Sequence, residues 1–129
     1  MPIYYKPQEK HNPIKPTEPK KFYATAQTVK RTDLKELAQS ISDTSTTVSH
    51  IDVHAVLLAL TDELKRRIVA GESVHLGDLG YFVTKLKSEG VEKAEDVTAS
   101  TIKDVRVRFT PGKDLESELK SAEFKKVSE

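Results

Sequence analysis

The sequence predicts an α+β fold: a small sheet with an antiparallel hairpin, covered by helices. Three observations predict it. Apolar residues recur at helical spacing in two stretches between residues 32 and 70. Period-two alternation follows in 81–87 and again in 105–109. Two turn signals, GDLG at 77–80 and TPG at 110–112, punctuate these strands.

A length of 129 residues suits one domain with an extension. At 36% hydrophobic and 32% charged residues, the core is modest and a second copy could supply missing buried area. The chain has no cysteine, which excludes disulfides and thiolate metal sites and fits a reducing cytosol. No apolar run approaches the ~18 residues of a membrane span. The opening MPIYYKPQEK lacks the apolar core of a secretory signal. A cytoplasmic protein with no membrane partner is expected.

The net charge of +1 hides an uneven split. Residues 1–31 hold seven Lys/Arg against Glu9 and Glu18, five charges to the positive side. Residues 32–129 hold 14 basic and 18 acidic groups. We therefore divide the chain into a Pro-rich, basic extension (1–31) and a mildly acidic globular part (32–129). Bulk charge alone does not make the whole chain a polyanion binder.

Residues 2–9 predict a short strand with Ile3 and Tyr5 on one face, Tyr4 and Lys6 on the other. Pro13, Pro16 and Pro19 then recur every third residue, the period of a polyproline II edge. KPTEPKK also fits a PxxP peptide ligand; an extended spacer is the plainer reading. FYATAQTV, 22–29, is β-branched and aromatic without Gly or Pro, a second strand expected to pair with a sheet edge.

Thr32 is a fair N-cap with Asp33 in the first turn, and Leu34, Leu37, Ala38 and Ile41 form the apolar stripe of a helix. Ser49 and Asp52 have capping-box spacing ahead of a longer helix, about 50–70. Its middle, Val53 to Leu60, is apolar nearly all round. Both sides of this helix should then be covered, the second by a partner subunit. Gly71 stops it, after Arg66 and Arg67, which suit its C-terminal end.

Alternation puts Phe82, Thr84 and Leu86 on one face of a strand, Tyr81, Val83, Lys85 and Lys87 on the other. Downstream, Val105, Val107 and Phe109 oppose Arg106 and Arg108. If the apolar sets meet the helices, Lys85, Lys87, Arg106 and Arg108 project together, with no acid interleaved. On strand pattern alone this is equally a docking face or ordinary solvated exterior. Thr110 is expected to cap a last helix, with Pro111 its first residue and Lys113 close to its free amides. FKKV, 124–127, reads as one more short strand.

Catalytic chemistry finds no support. His50 and His54 share a helix face, but a zinc-protease pattern needs Glu where Ile51 stands. No nucleophilic triad order, phosphate loop or dinucleotide fingerprint occurs. No enzyme activity, cofactor, metal or small-molecule substrate is expected.

From helix–helix–GESVHLGDLGYF–hairpin–VRVRFTPGKDLESELK, the chain resembles the bacterial HU and integration-host-factor family of histone-like proteins over about residues 32–120. The most specific segments are Gly80-Tyr81-Phe82 and Phe109-Thr110-Pro111-Gly112-Lys113. The Pro-rich leader and the SEGVEKAEDVTAS hairpin are similar to the HU-like subgroup of Bacteroidetes. The resemblance implies an intertwined homodimer with a helical base, a β-saddle and two hairpin arms, binding double-stranded DNA with little sequence preference. It places Lys85, Lys87, Arg106 and Arg108 on or near the saddle, Lys113 at its flank, and Leu79, Phe82 and Phe109 in the core. Lys103, at the arm's base, joins the expected DNA-binding set.

The arm departs from the family. Residues 88–104 carry five acids (Glu89, Glu92, Glu95, Asp96, Asp104) against Lys93 and Lys103, with no Arg and no Pro. Such a tip is repelled by phosphate and has no ring to wedge between bases. A short, folded-back arm with a helical turn near 92–97 is the expectation. The leading reading is a nucleoid-associated architectural protein that bends duplex DNA weakly through the saddle and the basic leader. The rival is an HU-fold interaction or scaffold module whose DNA binding is reduced or lost.

Overall fold

Side-chain capping fixes where the helices begin in the computed structural model, which describes residues 1–11, 13–15, 17 and 19–127. Nine helices and strands follow one another among these residues: β1 (Ile3–Lys10), β2 (Lys21–Ala26), α1 (Leu34–Thr44), α2 (His50–Val69), β3 (Val74–His75), β4 (Gly80–Ser88), β5 (Ile102–Pro111), α3 (Lys113–Lys120) and β6 (Phe124–Lys126). They divide into two units, one spanning Asp33–Ser117, the other joining Met1–Thr32 to the chain from Glu118 onward.

In the larger unit Asp33, rather than Thr32, is the N-cap of α1. Its carboxylate accepts from the Glu36 amide at 2.9 Å, and a carboxylate suits the positive end of the helix. Ser49 caps α2 as its spacing predicts, accepting from the Asp52 amide at 3.2 Å. Replacing Ser49 with alanine should cost about 1 kcal/mol, read as a lower urea midpoint. Gly71 follows α2 with φ +85°, a conformation in which a Cβ is strained. Glu63, one turn before the end of α2, accepts from both Arg66 and Arg67 of the last turn. The hydrogen bond from Arg67, then the charge of Arg66, hold its carboxyl below the usual range. These two arginines are partnered locally.

The chain by itself has almost no interior. Ala38 (1% exposed) and Val53 (9%), from α1 and α2, are the buried hydrophobics among the described residues. One stripe of α2, with Val53, Leu57, Leu64 and Ile68, is at least partly covered, whereas Ile51, Val56, Leu58 and Leu60 lie open. Leu79, expected in the core, is half exposed: the 3₁₀ turn Gly77–Leu79 turns its side chain outward in the isolated chain.

The sheet of this unit runs β3-β4-β5, antiparallel throughout. Here the expected start of the last helix needs correction. Thr110 and Pro111 are not the cap and first turn of α3; they pair with Tyr81 and Gly80 as the end of β5. The Gly112 carbonyl accepts from the Glu116 amide at 3.0 Å, so α3 begins two residues later than Pro111. The Gly112 amide donates to the Leu79 carbonyl at 2.9 Å, extending the pairing beyond the strand.

The leader strands do not add to an edge of that sheet. β1 pairs antiparallel with β2 and parallel with β6, giving a separate sheet of order β2-β1-β6. The predicted tail strand is β6. Pro7 is tolerated in the middle strand for a clear reason. Ile3 and Tyr5 direct their backbone groups to the β6 side, bonding Glu123 and Val127, so Pro7 points the same way. β6 pairs only as far as Tyr5, so the missing N–H meets no partner strand. The polyproline and PxxP readings fall on Pro16 and Glu18, which lie outside the described residues.

Candidate nucleic-acid interface

Register, not sequence distance, assembles the site. Lys85 lies opposite Arg106, Val83 opposite Arg108, and Lys87 opposite Asp104. Residues directly opposite share a face, so Lys85, Lys87, Arg106 and Arg108 emerge together. Phe82 lies opposite Phe109, Thr84 opposite Val107, and Leu86 opposite Val105, all on the reverse side. There the two phenyl rings stand 5.1 Å apart at 55°, a tilted pair. The Thr84 hydroxyl is buried without a hydrogen-bond partner among the described residues.

The cationic face is not free of acid, which corrects the expectation that no acid is interleaved. Asp104 stands on it across from Lys87, and Arg106 Nε donates to its Oδ2 at 2.8 Å. The sequence pattern assigns Asp104 to the arm; the ladder extends far enough to carry it onto the sheet. Four cations against one carboxylate leave three positive charges. Lys85 and Arg106 form a like-charge pair directly across the strands, destabilising by some tenths of a kcal/mol unless an anion is present. The Arg106–Asp104 ion pair is solvent-exposed and offsets little of this. A shallow depression lined by Lys85, Leu86, Lys87, Asp104 and Arg106 marks the spot. Asp104→Asn should tighten duplex binding about two- to fivefold at low salt, since it removes a charge repelled by phosphate; titration of labelled duplex checks this.

The other two expected residues stand apart. Lys87 pairs with Asp104 and Ser88 with Ile102, so Lys103 is the extra residue of a bulge. Its ammonium meets the Glu89 carboxylate at 3.2 Å. Lys113 opens α3, beyond the Gly80–Pro111 pair, about 16 Å along the strand from the Lys85–Arg106 pair at ~3.3 Å per residue. It lines a depression with Gly77, Gly112 and two acids, Asp78 and Asp114.

At the sheet's other end stands a pair that the strand pattern alone does not single out. His75 pairs with Tyr81 on the cationic face, and their rings stack at 4.7 Å and 18°. The available signal is that His75 and Tyr81 flank the same turn.

Between the paired strands the arm is a turn-rich, mostly exposed segment. β4 ends at Ser88 and β5 starts at Ile102; between them lie 3₁₀ turns at Ala94–Asp96 and Ala99–Thr101. Thr101, 7% exposed, ties the base together. Its hydroxyl donates to the Thr98 carbonyl at 2.7 Å, and its carbonyl accepts from the Glu89 amide at 2.9 Å and from the Ser88 hydroxyl at 3.2 Å.

Comparisons with known proteins bear on the family and the fold. The sequence pattern of the HU-HIG family, described as an HU domain fused to a wHTH, Ig or glycine-rich motif, matches residues 1–126. A crystal structure of a candidate bacterial DNA-binding protein from Bacteroides vulgatus is similar in fold (TM-score 0.62, 19% identity). The match covers 98% of this chain and 49% of that one, so the chain spans about half the length of that relative. The structure of Anabaena HU cocrystallised with DNA is similar over 70% of this chain and 99% of its own, with TM-score 0.55 and 16% identity. No curated protein sequence matches this chain.

Proposed function

The chain belongs to the HU-HIG family, and on that premise we propose that it is an architectural, nucleoid-associated protein that binds double-stranded DNA without sequence specificity through the outer face of β4 and β5. The single observation that carries this reading is the ladder that gathers Lys85, Lys87, Arg106 and Arg108 onto one side. Long cationic side chains on a sheet suit phosphate oxygens and carry no base code. The fold shared with a protein cocrystallised with DNA supports the class of ligand.

The working form is a homodimer. The reverse face of the hairpin exposes Leu86 (60%), Val105 (59%) and Val107 (54%), and α2 exposes a second apolar stripe. At ~25 cal/mol per Å² of apolar surface removed from water, such faces favour association strongly. Two copies double the cationic surface into a saddle, with Lys113 at its flank. The acidic arm, without a proline to insert, leaves the duplex unkinked at its tip, so bending is weak. The proposed location is the nucleoid, within the cytoplasm; no helix among the described residues is long and apolar enough to cross a membrane. No enzyme activity forms part of this reading.

With about 6–10 phosphate contacts per dimer, duplex affinity should fall about 10³–10⁵-fold between 50 and 200 mM salt. Gel shifts with a 30-base-pair duplex across that range test it. No retained duplex even at the lowest salt would reject the proposal and favour an interaction or scaffold module, for which the acidic arm speaks. Sedimentation at micromolar concentration tests the dimer.

A further inference from the structure

The second sheet has a charge separation of its own. Tyr5 lies opposite Ala26, Pro7 opposite Ala24, and Glu9 opposite Phe22; Ile3 lies beside Phe124. These residues share one face, where Ile3, Tyr5, Ala24, Ala26 and Phe124 line an apolar groove. The opposite face is formed by the alternate residues. Lys6 lies opposite Thr25, Gln8 opposite Tyr23, Lys10 opposite Lys21, and Tyr4 beside Lys125. The Thr25 hydroxyl donates to Gln8 Oε1 at 2.9 Å across this face, which confirms the assignment.

That face therefore carries four lysines and two tyrosines and no acid from any of its three strands. Lys6, Lys10, Lys21 and Lys125 are all exposed. Lys10 and Lys21 are a directly opposed like-charge pair, which the isolated sheet tolerates only at a cost and which an anion would relieve. Among the described residues of the three strands, no carboxylate meets these charges on that side. Tyr23 is 49% exposed midway along the edge strand β2, and Tyr4 is half-buried on the central strand β1, beside Lys125.

From this face we propose that the β2-β1-β6 sheet is a second nucleic-acid surface, one that binds single-stranded DNA, with the lysines on phosphates and Tyr23 and Tyr4 as stacking platforms for bases. The combination of cations and exposed rings selects the single strand. A duplex keeps its bases stacked internally and offers a sheet face only sugar and phosphate, which leaves the rings without use. An unpaired strand offers both groups at once, in any sequence. Three strands about 4.8 Å apart make a platform roughly 10 Å wide, the scale of one strand. The choice of DNA rests on the function proposed above; the single-strand geometry does not.

Anisotropy with labelled oligo-deoxythymidine tests this on the full chain. Tyr23→Ala should weaken oligo-dT binding about 5- to 100-fold while leaving duplex affinity within twofold. Lys10→Ser with Lys21→Ser should weaken it and flatten its salt dependence by about 0.7 log units for each phosphate no longer neutralised. This second variant removes a repulsive pair, so it does not endanger the sheet; circular dichroism checks both. Arg106→Ser with Arg108→Ser should lose the duplex and keep oligo-dT, which separates the two surfaces. Unchanged oligo-dT binding in both sheet variants overturns the proposal. So does equal loss of duplex and oligo-dT in the lysine variant with no effect of Tyr23→Ala, the signature of duplex binding by this face. Tighter binding to oligo-uridine overturns the choice of DNA. A parent protein that holds oligo-dT but not duplex supports this surface and rejects the β4–β5 reading; one that binds neither overturns both.

Discussion

Arg106→Glu combined with Arg108→Glu should lower duplex affinity about 100-fold or more at 50 mM salt and flatten its salt dependence. Every phosphate that is no longer neutralised takes about 0.9 from the slope of log K against log salt, so four such residues in a dimer account for several units. Reversal adds repulsion to the missing attraction. The structure also ranks the cations. Lys103→Glu should have a much smaller effect, because its ammonium already meets Glu89 at 3.2 Å in the bulge. Lys113→Glu should be intermediate: that residue is exposed but shares its depression with Asp78 and Asp114. Filter binding of one duplex by the three variants, each checked for native secondary structure, gives the ranking. Retention by the double reversal at the parent level removes the β4–β5 face from the mechanism and leaves the scaffold reading standing.

Gly80→Ala should destabilise the fold by about 3 kcal/mol, more than any cap. Gly80 sits at φ +146°, in a region open in practice to glycine alone, which by itself costs about 1–3 kcal/mol for another residue. A Cβ there would also collide with the Thr110 carbonyl oxygen and lie 2.7 Å from Phe109 Cζ. The carbonyl belongs to the β4–β5 ladder and cannot move without breaking pairs. Gly77→Ala is the control. Its φ of +56° is strained, but nothing lies within 4 Å of its added Cβ, so about 1–2 kcal/mol is expected. Urea denaturation of both variants measures the difference. Because Gly80 begins the strand that carries Lys85 and Lys87, its variant should lose duplex binding in step with the folded fraction.

The helices and the strand faces are legible in the sequence because each depends on local periodicity. Phe82 shares a face with Thr84 and Leu86, and Phe109 with Val105 and Val107, as alternation alone requires; register then sets Phe82 opposite Phe109. The acidic arm is legible as charge, and its two short 3₁₀ turns are not. The boundary at Thr110 is not legible, because a Thr-Pro-Gly sequence serves equally as a helix start and as a strand end. Backbone pairing with Tyr81 and Gly80 decides between them. Asp104 is ambiguous for a related reason. Whether it belongs to arm or sheet depends on where the ladder stops, and the bulge at Lys103 sets that.

The sequence by itself determined which side chains alternate to which side of each strand, and hence that the lysines and arginines of β4 and β5 part from Phe82 and Phe109. Periodicity is a property of the local backbone and needs no partner. Tertiary structure alone decided what those sides face. It put a carboxylate among the cations, tied Lys103 to Glu89, and paired the leader with the tail strand more than a hundred residues away. Those outcomes depend on register between distant segments, where a shift of one residue exchanges the two faces, and no local pattern records that choice.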